Sequence, residues 1–335
     1  MATAVQTVVT TWLIEEGVES AELALRDVEA LGHRLSAAVH EEFVAKEIEV
    51  NVDEFLHSRP AIHLQGVFDT SQLPATPEAF FPVPSSKSTV HARASVIAVQ
   101  SFLGLETIAY GSENSGELFV NLVTLPGAGQ FAEKSKDKMS GHTDAVSFPF
   151  AGEKDERNPR ISSSPDFVTL AGLRNPEQVP TTLMPLKDIL EQLEEAHIDE
   201  LLKKQFIVRS QLTFRRGTKA VLGGEHAMNP ASVLHRAADE TWVRFSHKNI
   251  DADESADAAS RAVDAFKEAC PTVATRIVVE PGDILLVNNR CALHGRGSLG
   301  GQIGGESRWL LRTYGLRSGA IREENRTALP NVLYP

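Results

Sequence analysis

Residues 279–299 read VEPGDILLVNNRCALHGRGSL. Pro281, Gly282 and Asp283 mark a turn, and the ILLV run that follows predicts a buried apolar strand. His294 emerges at the strand end beside Gly295, a position rigid on one side and open on the other. The same texture recurs outward from this stretch. EIEV (47–50), AIHLQGVF (61–68), SVIAVQSFLGL (95–105), ELFVNLVTL (117–125), DFVTLAGL (166–173), QFIVRSQLTF (205–214) and TRIVVE (275–280) are short runs rich in β-branched and aromatic residues, separated by Gly, Pro, Asn and Asp. They read as strands.

Helical signals are fewer. A helical N-terminal part is expected over 18–46, where Val28, Leu31, Leu35 and Val39 recur at spacings of three and four behind Ser20 and Glu22. Helical insertions are expected at 185–205 and 254–269. A mainly β chain with helical decorations fits a barrel or double-sheet roll better than a βαβ fold. The glycine-rich stretch GSLGGQIGG (297–305) has no phosphate-loop spacing and opens no helix.

Composition narrows the partners. The 335 residues carry 33 Lys and Arg against 45 Asp and Glu, a formal charge of −12, with no block of consecutive cations. Nucleic acid and anionic membrane surfaces are therefore excluded as expected partners, because both draw on clustered cations. A small-molecule ligand is expected. The two cysteines, Cys270 and Cys291, are too few for a disulfide framework, and the N-terminus lacks a basic secretory leader, so a cytoplasmic location is expected. No apolar run approaches the roughly 20 residues of a membrane span.

Three His-x-acid triplets occur: His40/Glu42, His142/Asp144 and His197/Asp199. On a helix, positions two apart diverge by about 200° and cannot grip one ion, whereas on an extended segment they share a face. The first and third triplets lie in predicted helices and read as solvated faces. His142 and Asp144 lie in SGHTDAVSFPF, between small residues and an alternating aromatic run. Imidazole and carboxylate suit a first-row divalent ion, and two histidines with one carboxylate leave open positions for Fe(II) oxygen chemistry. His294 is the candidate third ligand. Arg308 and Arg312, four apart around Trp309, Leu310 and Leu311, share a face on a strand. Such a pair meets anions or lies on a surface edge.

HTD, then a distal His behind PGDILLVNN, then Arg fourteen and eighteen residues later, resembles the clavaminate synthase-like branch of the Fe(II)/2-oxoglutarate oxygenases, within the taurine dioxygenase superfamily. The resemblance spans about 92–316 and is strongest in GHTD, PDFVTLAGLRNPEQVPTTL, EPGDILLVNNRCALHGR and RWLLRTYGL. It implies a double-stranded β-helix, a jelly-roll core over about 90–318 with helices packed outside. It further implies that His142, Asp144 and His294 hold Fe(II), that Arg308 and Thr182 bind the cosubstrate 2-oxoglutarate, and that Arg312 binds the carboxylate of an amino-acid substrate. Relatives that hydroxylate free amino acids commonly carry HxE; Asp144 is one methylene shorter, which keeps a metal ligand but puts a carboxylate contact to the substrate amine in question. The stretch 151–164 looks like an insertion, either a disordered surface loop or a lid.

The expected activity is oxygenation with O2 and 2-oxoglutarate, releasing succinate and carbon dioxide and hydroxylating an unactivated C–H of an amino acid or its derivative. Asp144 argues against halogenation, which needs that coordination position for chloride. A carrier-bound aminoacyl group, an organic acid, desaturation or cyclisation would use the same residues, and a non-catalytic metal-binding roll would need neither Arg308 nor Thr182. The separation of His142 from His294 favours one domain over 1–335.

Overall fold

The ILLV run is buried on both faces: Ile284 and Leu286 pack toward a helical layer, while Leu285 and Val287 pack into the interior of the roll. A strand covered on both sides has no polar face to alternate with, hence its uniform apolarity. The computed structural model of the protein describes all residues except 58, 239 and 253–256.

The strands are β1 (Ala61–Leu64), β2 (Leu105–Tyr110), β3 (Val120–Leu122), β4 (Met139–His142), β5 (Phe167–Arg174), β6 (Thr181–Pro185), β7 (Phe206–Arg209) and β8 (Ala227–Ala231). They continue with β9 (Leu234–Ala237), β10 (Glu240–Val243), β11 (Ile250–Ala252), β12 (Thr275–Ile277), β13 (Ile284–Asn288), β14 (Ala292–Arg296), β15 (Trp309–Arg317) and β16 (Val332–Leu333). The major sheet runs β1-β13-β5-β15-β2-β16, with β3 also on β15, and the minor sheet runs β12-β6-β14-β4. Pairing is antiparallel except between β16 and β2. Val168, Leu170, Leu285 and Leu310 of the major sheet share one cluster with Leu183 and Ala292 of the minor sheet. This is the core of a double-stranded β-helix. Smaller sheets, β11-β7-β8 and β10-β9, lie beside it.

Helices α1 (Ala2–Ala24), α2 (Val28–Ala45), α3 (Val52–His57) and α4 (Lys87–Phe102) precede most of the roll. Those named α1, α2 and α4 cover the outer face of the major sheet, against Phe167, Ala171, Leu173, Trp309 and Leu311. Then follow α5 (Gln130–Lys136), α6 (Leu186–Leu190), α7 (Glu195–Leu202), α8 (Leu212–Leu222) and α9 (Asp257–Thr272). The outer face of the minor sheet, Met184 and Leu293, packs on Ile189, Leu201, Ala262 and Phe266 of these later helices.

Several sequence expectations are corrected. The run at 95–105 is the second half of α4, started by a reciprocal Ser86/Thr89 capping box. Nearly every residue of α4 is buried, so no polar face marks the helical period and its valines read as strand. EIEV forms no strand, because α2 ends there with Glu47 at φ 52. QFIVRSQLTF is strand only to Arg209 and enters α8 at Leu212. The N-terminal helical part begins at Ala2 rather than 18, with non-helical backbone at Gly17. The insertion 185–205 is two helices, interrupted where Glu194 takes an extended conformation. That break turns Leu186, Ile189 and Leu201 onto one cluster. Of the insertion 254–269, residues 254–256 lie outside the described residues; α9 continues to Thr272.

The stretch 151–164 is ordered along the outside of the roll. Glu153 pairs with the buried Arg244, Asp155 accepts from His226 at 2.7 Å, Ile161 is fully buried and the Ser162 N–H donates to Tyr334 O at 2.7 Å. Among the described residues no helix is long and apolar enough to cross a membrane.

Candidate active site

Strands β4 and β14 are antiparallel neighbours with His142 directly opposite His294, and the two imidazole centroids are 4.4 Å apart. Asp144 follows in the turn after β4. Its position is fixed by Asn289 at the end of β13: the Asp144 N–H donates to Asn289 Oδ1 at 2.8 Å, and Asn289 Nδ2 donates back to Asp144 O at 3.1 Å. The next residue, Ala145, has φ 52, so the chain reverses at once and leaves the carboxylate beside the imidazoles. His142 Nε2 lies 3.5 Å from Asp144 Oδ1, and His294 Nε2 lies 3.8 Å from Asp144 Oδ2. One donor atom from each of the three residues falls within 4.8 Å of the others.

The donor chemistry fits a divalent metal. His142 Nδ1 donates to Ser140 O at 2.9 Å, leaving the Nε2 lone pair directed at its neighbours. Burial, reinforced by His142 and Arg312 and opposed by Asp144, brings His294 down to about 3, so its imidazole is neutral near pH 7. Burial would raise the Asp144 carboxyl, but the close approach of His142, His294 and Arg312, which stabilise its anionic form, holds it well below the usual carboxylate range. One carboxylate and two imidazole nitrogens form the set that first-row Fe(II) sites use.

All three border a cavity of about 520 Å³ that Arg308 and Arg312 also line. Arg308 precedes β15, is 4% exposed, and its Nε and Nη1 have no hydrogen-bond partner among the described residues. Burial and the nearby Arg296 push its guanidinium down to about 9, against the pull of Glu177. An unpaired buried guanidinium is costly unless an anion joins it, so this side chain marks an anion position inside the cavity.

Arg312 is differently placed. Its Nη1 and Nη2 donate to Glu113 Oε1 and Oε2 at 3.0 and 2.6 Å, and Tyr314 OH donates to Glu113 Oε2 at 2.9 Å. Burial alone would lower the Arg312 pKa, but Glu113, Tyr314 and Asp144 raise it instead. Arg312 Nη1 is also 3.7 Å from Asp144 Oδ2, which ties this pair to the histidine site.

Thr182 is not among the residues that line the cavity. Across β6 and β14 it is opposite Gly295, while Thr181 is opposite Arg296 and Leu183 opposite His294. Directly opposed residues share a face and neighbours alternate, so Thr181 lies on the His294 face and Thr182 on the other. Thr181 is the one that lines the cavity. Reading PTTL alone leaves the two threonines one register step apart. Sequence reading also missed Glu113 and Asn289. Asn289 is visible in the VNN triplet after the strand; for Glu113, in the turn after β2, no local signal exists. Among the described residues no residue of 151–164 borders the cavity.

The family model described as taurine catabolism dioxygenase TauD, TfdA family, matches residues 156–314, a span that includes Thr181, His294, Arg308 and Arg312. Enduracididine beta-hydroxylase of Streptomyces hygroscopicus is 22% identical over 320 residues, covering 87% of this chain and 88% of that one. L-lysine 3-hydroxylase of Catenulispora acidiphila is 24% identical over 265 residues, covering 75% and 68%. Among solved structures, the non-heme iron oxygenase OrfP in complex with Fe and alpha-ketoglutaric acid superposes with a TM-score of 0.75 at 20% identity, covering 99% of this chain and 97% of that one.

Proposed function

We propose that the chain, which the TauD/TfdA family model matches over residues 156–314, is an Fe(II)/2-oxoglutarate-dependent oxygenase that hydroxylates an unactivated C–H of an amino acid or amino-acid derivative, with release of succinate and carbon dioxide. The observation that carries the residue assignment is the convergence, in one cavity, of the His142, Asp144 and His294 donors with the orphaned guanidinium of Arg308. In this reading His142, Asp144 and His294 hold Fe(II), which when bound supplies the activation of dioxygen at the expense of 2-oxoglutarate.

This chain's own residues do the rest. Arg308 receives the distal carboxylate of 2-oxoglutarate through its free Nε and Nη1, and Thr181, in place of Thr182, offers the cosubstrate a hydroxyl from the facing strand. Asn289 holds Asp144 in register with the two imidazoles, and the neutral His294 keeps its lone pair available at physiological pH. Arg312 orients the carboxylate of the amino-acid substrate, and Glu113 is its positioning residue, fixing the guanidinium plane through both η nitrogens. Val168, Leu170 and Leu310 supply an apolar wall that excludes water from the reacting C–H.

We read 1–335 as one catalytic unit, supported by the pairing of two candidate ligands on adjacent strands of one roll. Both cysteines are free thiols, which supports a cytoplasmic setting. The test is anaerobic reconstitution with Fe(II) and 2-oxoglutarate. A weak visible charge-transfer band is expected, followed by accelerated succinate release on addition of the right amino acid; bound iron without the band would sink the cosubstrate assignment.

A further inference from the structure

Cations outnumber carboxylates around the cavity, and sorting them by partner isolates one. Arg312, held by Glu113, is already assigned to the substrate's α-carboxylate, and Arg296 donates to the carbonyls of Ser135, Lys134 and Asp137 at 2.9, 3.3 and 2.8 Å. Arg215 donates to Ser210 O and Asn249 Oδ1 at 3.0 and 3.1 Å. Arg308 is the anion position already assigned to the cosubstrate. Lys138 and Lys248 lie at the exposed rim. Lys134, on α5, is half-buried and borders the cavity, and among the described residues no hydrogen bond or ion pair reaches its Nζ. Its anchorage is firm, because Arg296 grips the carbonyls at the end of the same helix.

The charges around Lys134 leave it in want of an anion. Burial lowers its pKa; Asp144 and Glu113 oppose that shift, while Arg312 and Arg296 reinforce it. Both of the carboxylates that attract it have other commitments. Asp144 faces the two imidazoles, and Glu113 already accepts from Arg312 and Tyr314. With metal and 2-oxoglutarate bound as proposed above, the metal offsets the dianion and Asp144 offsets Arg308, so the ammonium of Lys134, bordering the same cavity, has no carboxylate of its own among the described residues.

We propose that Lys134 is a specificity-determining residue that receives a side-chain carboxylate of the substrate, so that the favoured class is amino acids bearing a second carboxylate. This rests on the amino-acid hydroxylase reading and deepens it: a cationic side chain, such as the lysine in the name of one relative, would face a like charge in a desolvated cavity.

The experiment measures equilibrium binding, by anaerobic calorimetry, to protein loaded with Fe(II) and 2-oxoglutarate. Aspartate and glutamate are compared with asparagine, glutamine and lysine. Each dicarboxylate is expected to bind about 10- to 100-fold more tightly than its amide, with lysine weakest. Lys134→Met should abolish the preference for acid over amide while leaving the charge-transfer band unchanged, and Lys134→Glu should shift the ranking toward lysine. The proposal is overturned if wild type binds lysine or the amides as tightly as the dicarboxylates, if none of the five binds, or if Lys134→Met keeps the acid preference. Absence of the band in wild type is a different result, which overturns the underlying reading and this inference with it.

Discussion

Glu113 and Arg312, 199 residues apart, meet through two hydrogen bonds of 3.0 and 2.6 Å, with Tyr314 OH completing the carboxylate. The acid is 3% exposed. A buried pair of this kind costs desolvation on both sides, and breaking it by removing one partner leaves an uncompensated charge.

Accordingly, Glu113→Leu alone should destabilise the protein by about 3–5 kcal/mol, and Arg312→Met alone similarly. The double variant should be more stable than either single one. Urea titrations of the four proteins give the coupling directly, and additive losses would show that the pair does not act as a unit.

His294→Ala removes one of the three donors that converge beside β4. Its Fe(II) affinity should fall by at least about 100-fold, more than an outer partner of a metal ligand typically contributes. Metal titration followed by loss of the 2-oxoglutarate charge-transfer band reads this out. Unchanged Fe(II) binding would remove His294 from the proposed ligand set.

The two threonines are separable by paired variants. Thr181→Val should weaken 2-oxoglutarate by about 10-fold or more, the cost of one hydrogen bond to a charged group. Thr182→Val, on the opposite face of β6, should leave it unchanged, and Arg308→Met should weaken it by about 30-fold or more. Calorimetry with Fe(II)-loaded protein measures all three, and the opposite ranking of the threonines would restore Thr182.

His91 supplies a pH dependence away from the site. It is 4% exposed in α4, its Nδ1 accepts from the Asp69 N–H at 3.3 Å, and burial, opposed by Asp69 and aided by Lys87, brings it down to about 4. The unfolded chain therefore binds a proton below about pH 6.5 that the folded protein refuses until about pH 4. Stability should rise with pH through this window, by about 3 kcal/mol attributable to this group. His91→Gln should flatten the slope between pH 4 and 6.5 in denaturant melts, whereas an unaltered slope would assign it to other groups.

Legibility in the sequence followed the range of the interactions involved. ILLV at 284–287 was readable as strand because a short apolar run behind Pro-Gly-Asp has few alternatives, and His142 with Asp144 was readable because extended backbone puts positions two apart on one side. SVIAVQSFLGL was misread because α4 is covered on all sides, and burial erases the polar face on which helical periodicity depends. Which of Thr181 and Thr182 borders the cavity was not legible, because strand register reverses the facing of a side chain with each residue, and register is fixed only by the partner strand.

By itself the sequence made the strand-rich roll legible, through local alternation and turn residues, and it singled out His142, Asp144, His294, Arg308 and Arg312 as candidates; the likeness to the oxygenases rested on the motifs that carry the resemblance. Tertiary structure alone decided which threonine borders the cavity, that Glu113 holds Arg312, that 151–164 runs outside the site, and that Lys134 has no hydrogen-bond or ion-pair partner for its Nζ among the described residues. Each of these depends on which distant segments become neighbours, and a side chain's charge acquires a chemical role only once burial and partners have determined what compensates it.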